Sequence, residues 1–195
     1  MIRKPNYTPI TDSVMTEVDR ILDGQPPTPT VTNDILVGTH FRQYDQVLED
    51  FASGDIEVEE YLRGKEDAEA GVLQYSETFQ TFANLERRAK KETRWERPTL
   101  NHMLAHEKEH ANIASSYGLD NEWGYYRGDG INPPALFVYQ PNFSAVARRE
   151  KWGRKKILQV IAHICSVSSM GRDDRRMKEI SEYGLSRIAL RQVSE

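Results

Sequence analysis

The run His106-Glu107-Lys108-Glu109-His110 holds the residue types and the spacing from which chemistry can be argued. On a helix, residues four apart project from one face, one turn above the other, so both imidazoles can reach one small ion. Glu107 sits one residue on, where its carboxylate meets a water on that ion more readily than the ion itself. A bound zinc ion lowers the pKa of such a water toward neutrality, and a neighbouring carboxylate then takes the proton as the oxygen attacks a carbonyl. This set therefore suits hydrolysis of a peptide bond, with His106 and His110 on zinc and Glu107 as general base. His102 lies one turn earlier and extends the pair into a stripe of imidazoles. The bland alternative is a solvated row of histidines.

The segment Leu104-Ala105-His106-Glu107-Lys108-Glu109-His110-Ala111 resembles the active-site helix of the zincin metallopeptidases. The resemblance covers this helix. It departs from the family at Lys108 and Glu109, where zincins usually keep uncharged residues; on a helix both would point away from the metal. A zinc hydrolase needs a third protein ligand. Gly171-Arg172-Asp173-Asp174-Arg175 is weakly similar to the segment that supplies an aspartate ligand in the membrane-anchored AAA-protease class of zincins. The resemblance implies zinc as cofactor, a peptide or protein as substrate, and Asp173 or Asp174 as the residue closing the site. Both aspartates equally suit the capping of a helix start. His163 is a further candidate, although a lone histidine among Val160, Ile161 and Ile164 is more often a core residue. His102 would make three ligands from one helix, a strained arrangement around one ion.

Other readings use the same letters. Glu107-Lys108-Glu109-His110 is also an ExxH motif, similar to the di-iron carboxylate helix of rubrerythrin-like ferritins. That resemblance implies iron, with Glu66, Glu69 or Glu77 facing the metal from the preceding helix. A full di-iron site wants a second ExxH, and none follows residue 110. A third reading is a helical interaction protein without catalysis, binding through its N-terminal arm or through Trp123, Tyr125 and Tyr126. Those aromatics serve equally as cover for the core under a long loop. Cys165 has no company that would make it a nucleophile and reads as a buried structural residue.

The elements that must position these residues follow from periodicity. Val14, Met15, Val18, Ile21 and Leu22 predict a short amphipathic helix over residues 11–23. Pro26-Pro27-Thr28-Pro29 then reads as an extended linker. Phe41, Tyr44, Val47, Leu48 and Phe51 predict a helix from Asn33, broken at Ser53-Gly54-Asp55. A second helix is expected from Ile56 to about Leu85, with Gly64 and Gly71 as points where it splits. Arg87, Arg88, Lys90 and Lys91 suit a helix C-terminus. Pro98 opens the motif helix, predicted from Arg97 to Tyr117, and Gly118 closes it. Tyr183-Gly184-Leu185 repeats Tyr117-Gly118-Leu119 and reads as the same cap used twice. Between the helices, Leu136 to Gln140 reads as a strand, with turns at Gly128-Asp129-Gly130 and Asn132-Pro133-Pro134. Helix is predicted again over Arg154 to Val167 and from Asp173 past Ser186.

These elements give an α+β fold, mostly helical, with a short strand and loop region after a zincin-like active-site helix. Residues 1–32 form an N-terminal arm and linker, and residues 33–195 a single helical domain carrying the metal site. The aromatic segment 123–139 would line the cleft and offer a strand edge to an extended substrate. Composition narrows the remaining classes. The chain has 195 residues, 38% hydrophobic and 29% charged, with a net charge of −4. The longest apolar-rich stretch, Ile157 to Val167, is interrupted by Gln159, His163 and Ser166, so no membrane span is expected. Met1 to Ile10 lacks the apolar core of a secretory leader. A lone cysteine fits a reducing compartment, and a cytoplasmic location is expected. An acidic run occupies Asp55 to Glu69 and a basic run Arg148 to Lys156. The basic run reads as a solvated helix start, and with Trp152 as its lone aromatic no nucleic-acid partner is expected.

Overall fold

The computed structural model describes residues 33–127 and 134–193. The expected helix at 11–23, the proline linker and the turns at 128–133 lie outside the described residues. The fold is mostly helical α+β. In chain order it runs α1 (Asn33–Ser53), α2 (Val58–Leu73), β1 (Glu77–Phe79), α3 (Phe82–Ala89), α4 (Arg97–Ser115), β2 (Glu122–Tyr126), β3 (Ala135–Tyr139), α5 (Phe143–Arg149), α6 (Arg154–Ile164) and α7 (Arg172–Val193). Among the described residues no helix is long and apolar enough to cross a membrane.

The first break falls where the polar run places it. α1 ends at Ser53, and the Gly54 and Asp55 amides both turn back onto the Asp50 carbonyl. The second expected helix divides, but not at its glycines. A Cβ on Gly64 would stand 2.9 Å from Val47, and one on Gly71 would stand 2.2 Å from the His40 ring. These glycines let α2 lie close against α1. The division comes later, at residues 74–81, where β1 interrupts the expected span. Arg87 and Arg88 lie in the last turn of α3, as a C-terminal cluster of cations should.

The three strands form one antiparallel sheet in the order β1-β2-β3. Trp123 pairs with Phe79 on one side and Val138 on the other. One face of the sheet (Phe79, Trp123, Tyr125, Leu136, Val138) packs on Leu85 and Ala89 of α3 and on Leu100, Leu104 and Ala111 of α4. The other face (Tyr126, Ala135, Phe137) meets Val37 and Val72 from α1 and α2. Trp123, Tyr125 and Tyr126 are therefore core residues. A larger core joins Leu48, Phe51, Leu62, Phe143, Val146, Ile157, Leu158 and Ile161 of α1, α2, α5 and α6. Ala111 of α4 belongs to the sheet core and Ala114 to this larger one. The motif helix thus lies on the seam between the two.

Three further expectations change. Glu122–Tyr126, within the expected long loop, is β2, the middle strand. Phe143–Arg149 forms its own short helix before the one expected from Arg154, which ends at Ile164. Gly184 lies inside α7, so it caps nothing; a Cβ there would stand 2.8 Å from Leu158 and 2.9 Å from Ala52. The repeated Tyr-Gly-Leu serves a turn in one place, where Gly118 has φ 72°, and close helix packing in the other.

Candidate metal centre

α4 presents His106 and His110 on one face, one turn apart, as the spacing requires. Their Nε2 atoms stand 3.1 Å from each other. The first turn of α7 brings Asp174 against both. Its Oδ2 lies 3.2 Å from His106 Nε2 and its Oδ1 3.2 Å from His110 Nε2. Asp174 also accepts the Gly171 N–H at 2.8 Å, so the side chain that closes the cluster braces the start of its own helix. The capping role and the site role fall on one residue. Asp173 stays exposed and outside the cluster.

Second contacts fix the rings. His110 Nδ1 lies 2.7 Å from the carbonyl of Ile164, the last residue of α6. A carbonyl can only accept, so Nδ1 carries the proton, and in the neutral ring Nε2 presents a bare lone pair to the cluster. The carbonyls of a last helical turn lack partners within their own helix, and here one is used to orient a side chain. Ser169 Oγ stands 3.4 Å from His106 Nδ1.

The donor set is of the kind that holds a metal ion. His106, His110 and Asp174 each offer one ligand atom, and those atoms lie within 4.8 Å of one another. Ligands held about 2.0–2.1 Å from one tetrahedral zinc stand roughly 3.3 Å apart. From His106 Nε2 the edges measure 3.1 Å to His110 Nε2 and 3.2 Å to Asp174 Oδ2, while His110 Nε2 meets the other Asp174 oxygen at 3.2 Å. Lone pairs crowded this closely repel unless a cation or protons lie between them. Burial alone would raise the Asp174 carboxyl, but the two imidazoles hold it well below the usual carboxylate range. Burial likewise works to lower His110, and Asp174, Glu107 and the Ile164 carbonyl together raise it above its ordinary value.

Glu107 stands beside this cluster rather than in it. Its Oε1 is 3.9 Å from His106 Nε2, and its Oε2 accepts the Val138 N–H of β3 at 3.1 Å. Burial pushes its carboxyl up to about 7, against the pull of His110 and His106. The sheet thus anchors the carboxylate that the motif places next to the histidines.

The charged positions inside the motif do point away. Lys108 reaches over the Phe82 ring, and Glu109 accepts two hydrogen bonds from Ser168. Those bonds hold the Glu109 carboxyl below its usual range. His102 is exposed and outside the cluster. His163 is also exposed, and its Nδ1 lies 2.7 Å from the Tyr117 hydroxyl. The carboxylates offered for a di-iron site are engaged elsewhere: Glu66 with Arg148, Glu69 with Lys65, and Glu77 with Arg88. Among the described residues they do not join the histidine cluster. Cys165 is buried, which pushes its thiol up to about 12.

The basic run binds its own protein. Arg148 pairs with Glu59 and Glu66, Arg154 donates to the Ile56 carbonyl, and Lys156 lies over the Tyr117 and Trp152 rings. Sequence reasoning missed Val138, Ile164 and Ser168. The first two act through backbone atoms, which no residue type reveals. No protein-family model, curated protein or solved structure matches the chain.

Proposed function

We propose that this chain is a zinc-dependent hydrolase acting on peptide bonds. His106, His110 and Asp174 would hold the metal, and Glu107 would be the general base. One observation carries this reading: three ligand atoms converge from two helices while a second acid, Glu107, is held next to them by a strand. It agrees with the resemblance of Leu104 to Ala111 to the zincin active-site helix. When bound, zinc would supply Lewis acidity, polarising a carbonyl and acidifying a water.

The chain's own residues do the rest. Glu107 takes a proton from the attacking water as the new C–O bond forms, then passes it to the leaving nitrogen as the C–N bond breaks. The Val138 N–H keeps one oxygen of Glu107 fixed, so the other is aimed at the cluster. β3 has β2 as its partner in the sheet and, among the described residues, no strand on its far side. An extended peptide placed along that edge would lie beside Glu107.

The first test is metal content in purified protein, measured by elemental mass spectrometry with His110→Ala as control. The expected result is roughly one zinc per chain, lost in the variant. Glu107→Gln should then keep the zinc and abolish peptide hydrolysis. Two irons per chain, or loss of metal in Glu107→Gln, would instead favour a di-iron site with Glu107 as ligand. A protein that takes up no metal would be left as a helical interaction domain.

A further inference from the structure

Asp174 sits at the start of α7, and the loop of residues 165–171 decides where that start lies. Loops of this kind are the mobile parts of a fold unless something ties them down. This one is tied to the motif helix. At its beginning the Ile164 carbonyl holds His110. In its middle Ser168 meets Glu109 across 59 residues of sequence: the backbone N–H donates to Oε1 at 2.9 Å and the hydroxyl donates to Oε2 at 2.7 Å. The next residue, Ser169, faces His106. At the end the Gly171 N–H holds Asp174.

The Glu109 contact differs from the others. It touches neither the cluster nor Glu107, yet both carboxylate oxygens are spent on one loop residue. Two charge-assisted hydrogen bonds to a single residue fix its position and its orientation together. We infer that Glu109 is a positioning residue: its clasp on Ser168 seats the loop on α4 and so sets Asp174 beside His106 and His110. This rests on the reading of those three residues as a metal centre.

The test is zinc affinity by competition with a chromophoric chelator, alongside the melting temperature of the zinc-free protein. Glu109→Ala should weaken zinc binding by about ten- to hundredfold, the usual effect of losing a partner outside the ligand set. Glu109→Gln should stay close to wild type, since its amide can accept from the Ser168 N–H and donate to the hydroxyl. A residue of purely structural importance would lower the melting temperature and leave the affinity in place. Should Glu109→Ala not fold, Ser168→Ala takes its place; it keeps the backbone bond, and a smaller loss is expected. Unchanged affinity in these variants, with wild type binding zinc, would overturn the clasp and leave the metal centre standing. Equal loss in Glu109→Ala and Glu109→Gln would also overturn it, because the charge rather than the clasp would then matter. Absence of zinc uptake by the wild type would overturn both readings.

Discussion

Two corners of this molecule gather charged side chains, and they do so in opposite ways. At the surface Arg148 lies between Glu59 and Glu66, at 2.7 and 3.1 Å, with all three side chains 41% exposed or more. Donors meet acceptors there, and water completes the solvation. At the seam between the cores, His106, His110 and Asp174 are 15, 8 and 13% exposed, and ring nitrogens face carboxylate oxygens at 3.2 Å. The surface corner needs nothing further, whereas the seam calls for a cation or protons. Density of charge along the chain points to the first corner, since the acidic run and the basic run are the most prominent features of the sequence. They pair with each other. Chemistry is better sought where polar atoms converge out of water without a matching donor.

Removing Asp174 should separate the corners most sharply. Asp174→Ala is expected to weaken zinc binding by more than about a hundredfold, beyond the loss typical of an outer partner. Zinc at a hundred times its dissociation constant should stabilise the wild type by about 2.7 kcal/mol. That corresponds to a rise on the order of 5–10 °C in melting temperature for a chain of this size. A chelator should abolish the rise, and Asp174→Ala should not show it. Arg148→Ala should keep it in full, because the two corners share no partner. If Arg148→Ala lost the rise as well, the corners would be coupled and the contrast would fail.

The legible parts of the fold were those with marked ends. Pro98 and Gly118 bracket the motif helix, so its face and the geometry of His106 and His110 followed from spacing. Asp174 was legible as one of two neighbours, through the weak resemblance of Gly171 to Arg175 to a segment that supplies an aspartate ligand. Choosing it over Asp173 needed the packing of α7. β2 was illegible for a physical reason. It is buried on both faces, so it lacks the alternation that marks a half-exposed strand. It also carries Gly124 at its centre, where a Cβ would stand 2.0 Å from the Phe137 ring. A glycine inside a strand marks a close approach, and here it is the space that lets an aromatic of β3 cross it. Gly184 misled, since packing against a neighbour and capping a helix favour the same residue.

That second glycine sharpens the comparison. α7 carries Asp174 in its first turn, and Gly184 seats the same helix against Ala52 and Leu158. Gly184→Ala puts a methyl group into contacts already closer than real Cβ atoms tolerate. The expected loss is about 1–3 kcal/mol in urea unfolding with an unchanged denaturant slope. A displaced α7 should also carry Asp174 away from the histidines and weaken zinc binding by a smaller factor than Asp174→Ala does. The Arg148 corner, built from α2 and α5, should be indifferent to the change. Stability lost with zinc affinity intact would mean that the loop, rather than the body of α7, holds Asp174.

The smallest effect is expected where the sequence looks most charged. Arg148→Ala removes an arginine that donates to Glu59 through Nε and Nη2 and to Glu66 through Nη1. Its geometry is good, but the exposed partners regain water when it leaves, and the ordered side chains regain their freedom. The melting temperature should therefore stay within about 2 °C of wild type, and the difference should shrink further in concentrated salt. A larger loss that salt does not erase would mean that this corner is dry in solution and behaves as a buried network. The distinction between charges that satisfy one another and atoms that need a cation or protons between them would then no longer track exposure, and the case for the seam would rest on its geometry alone.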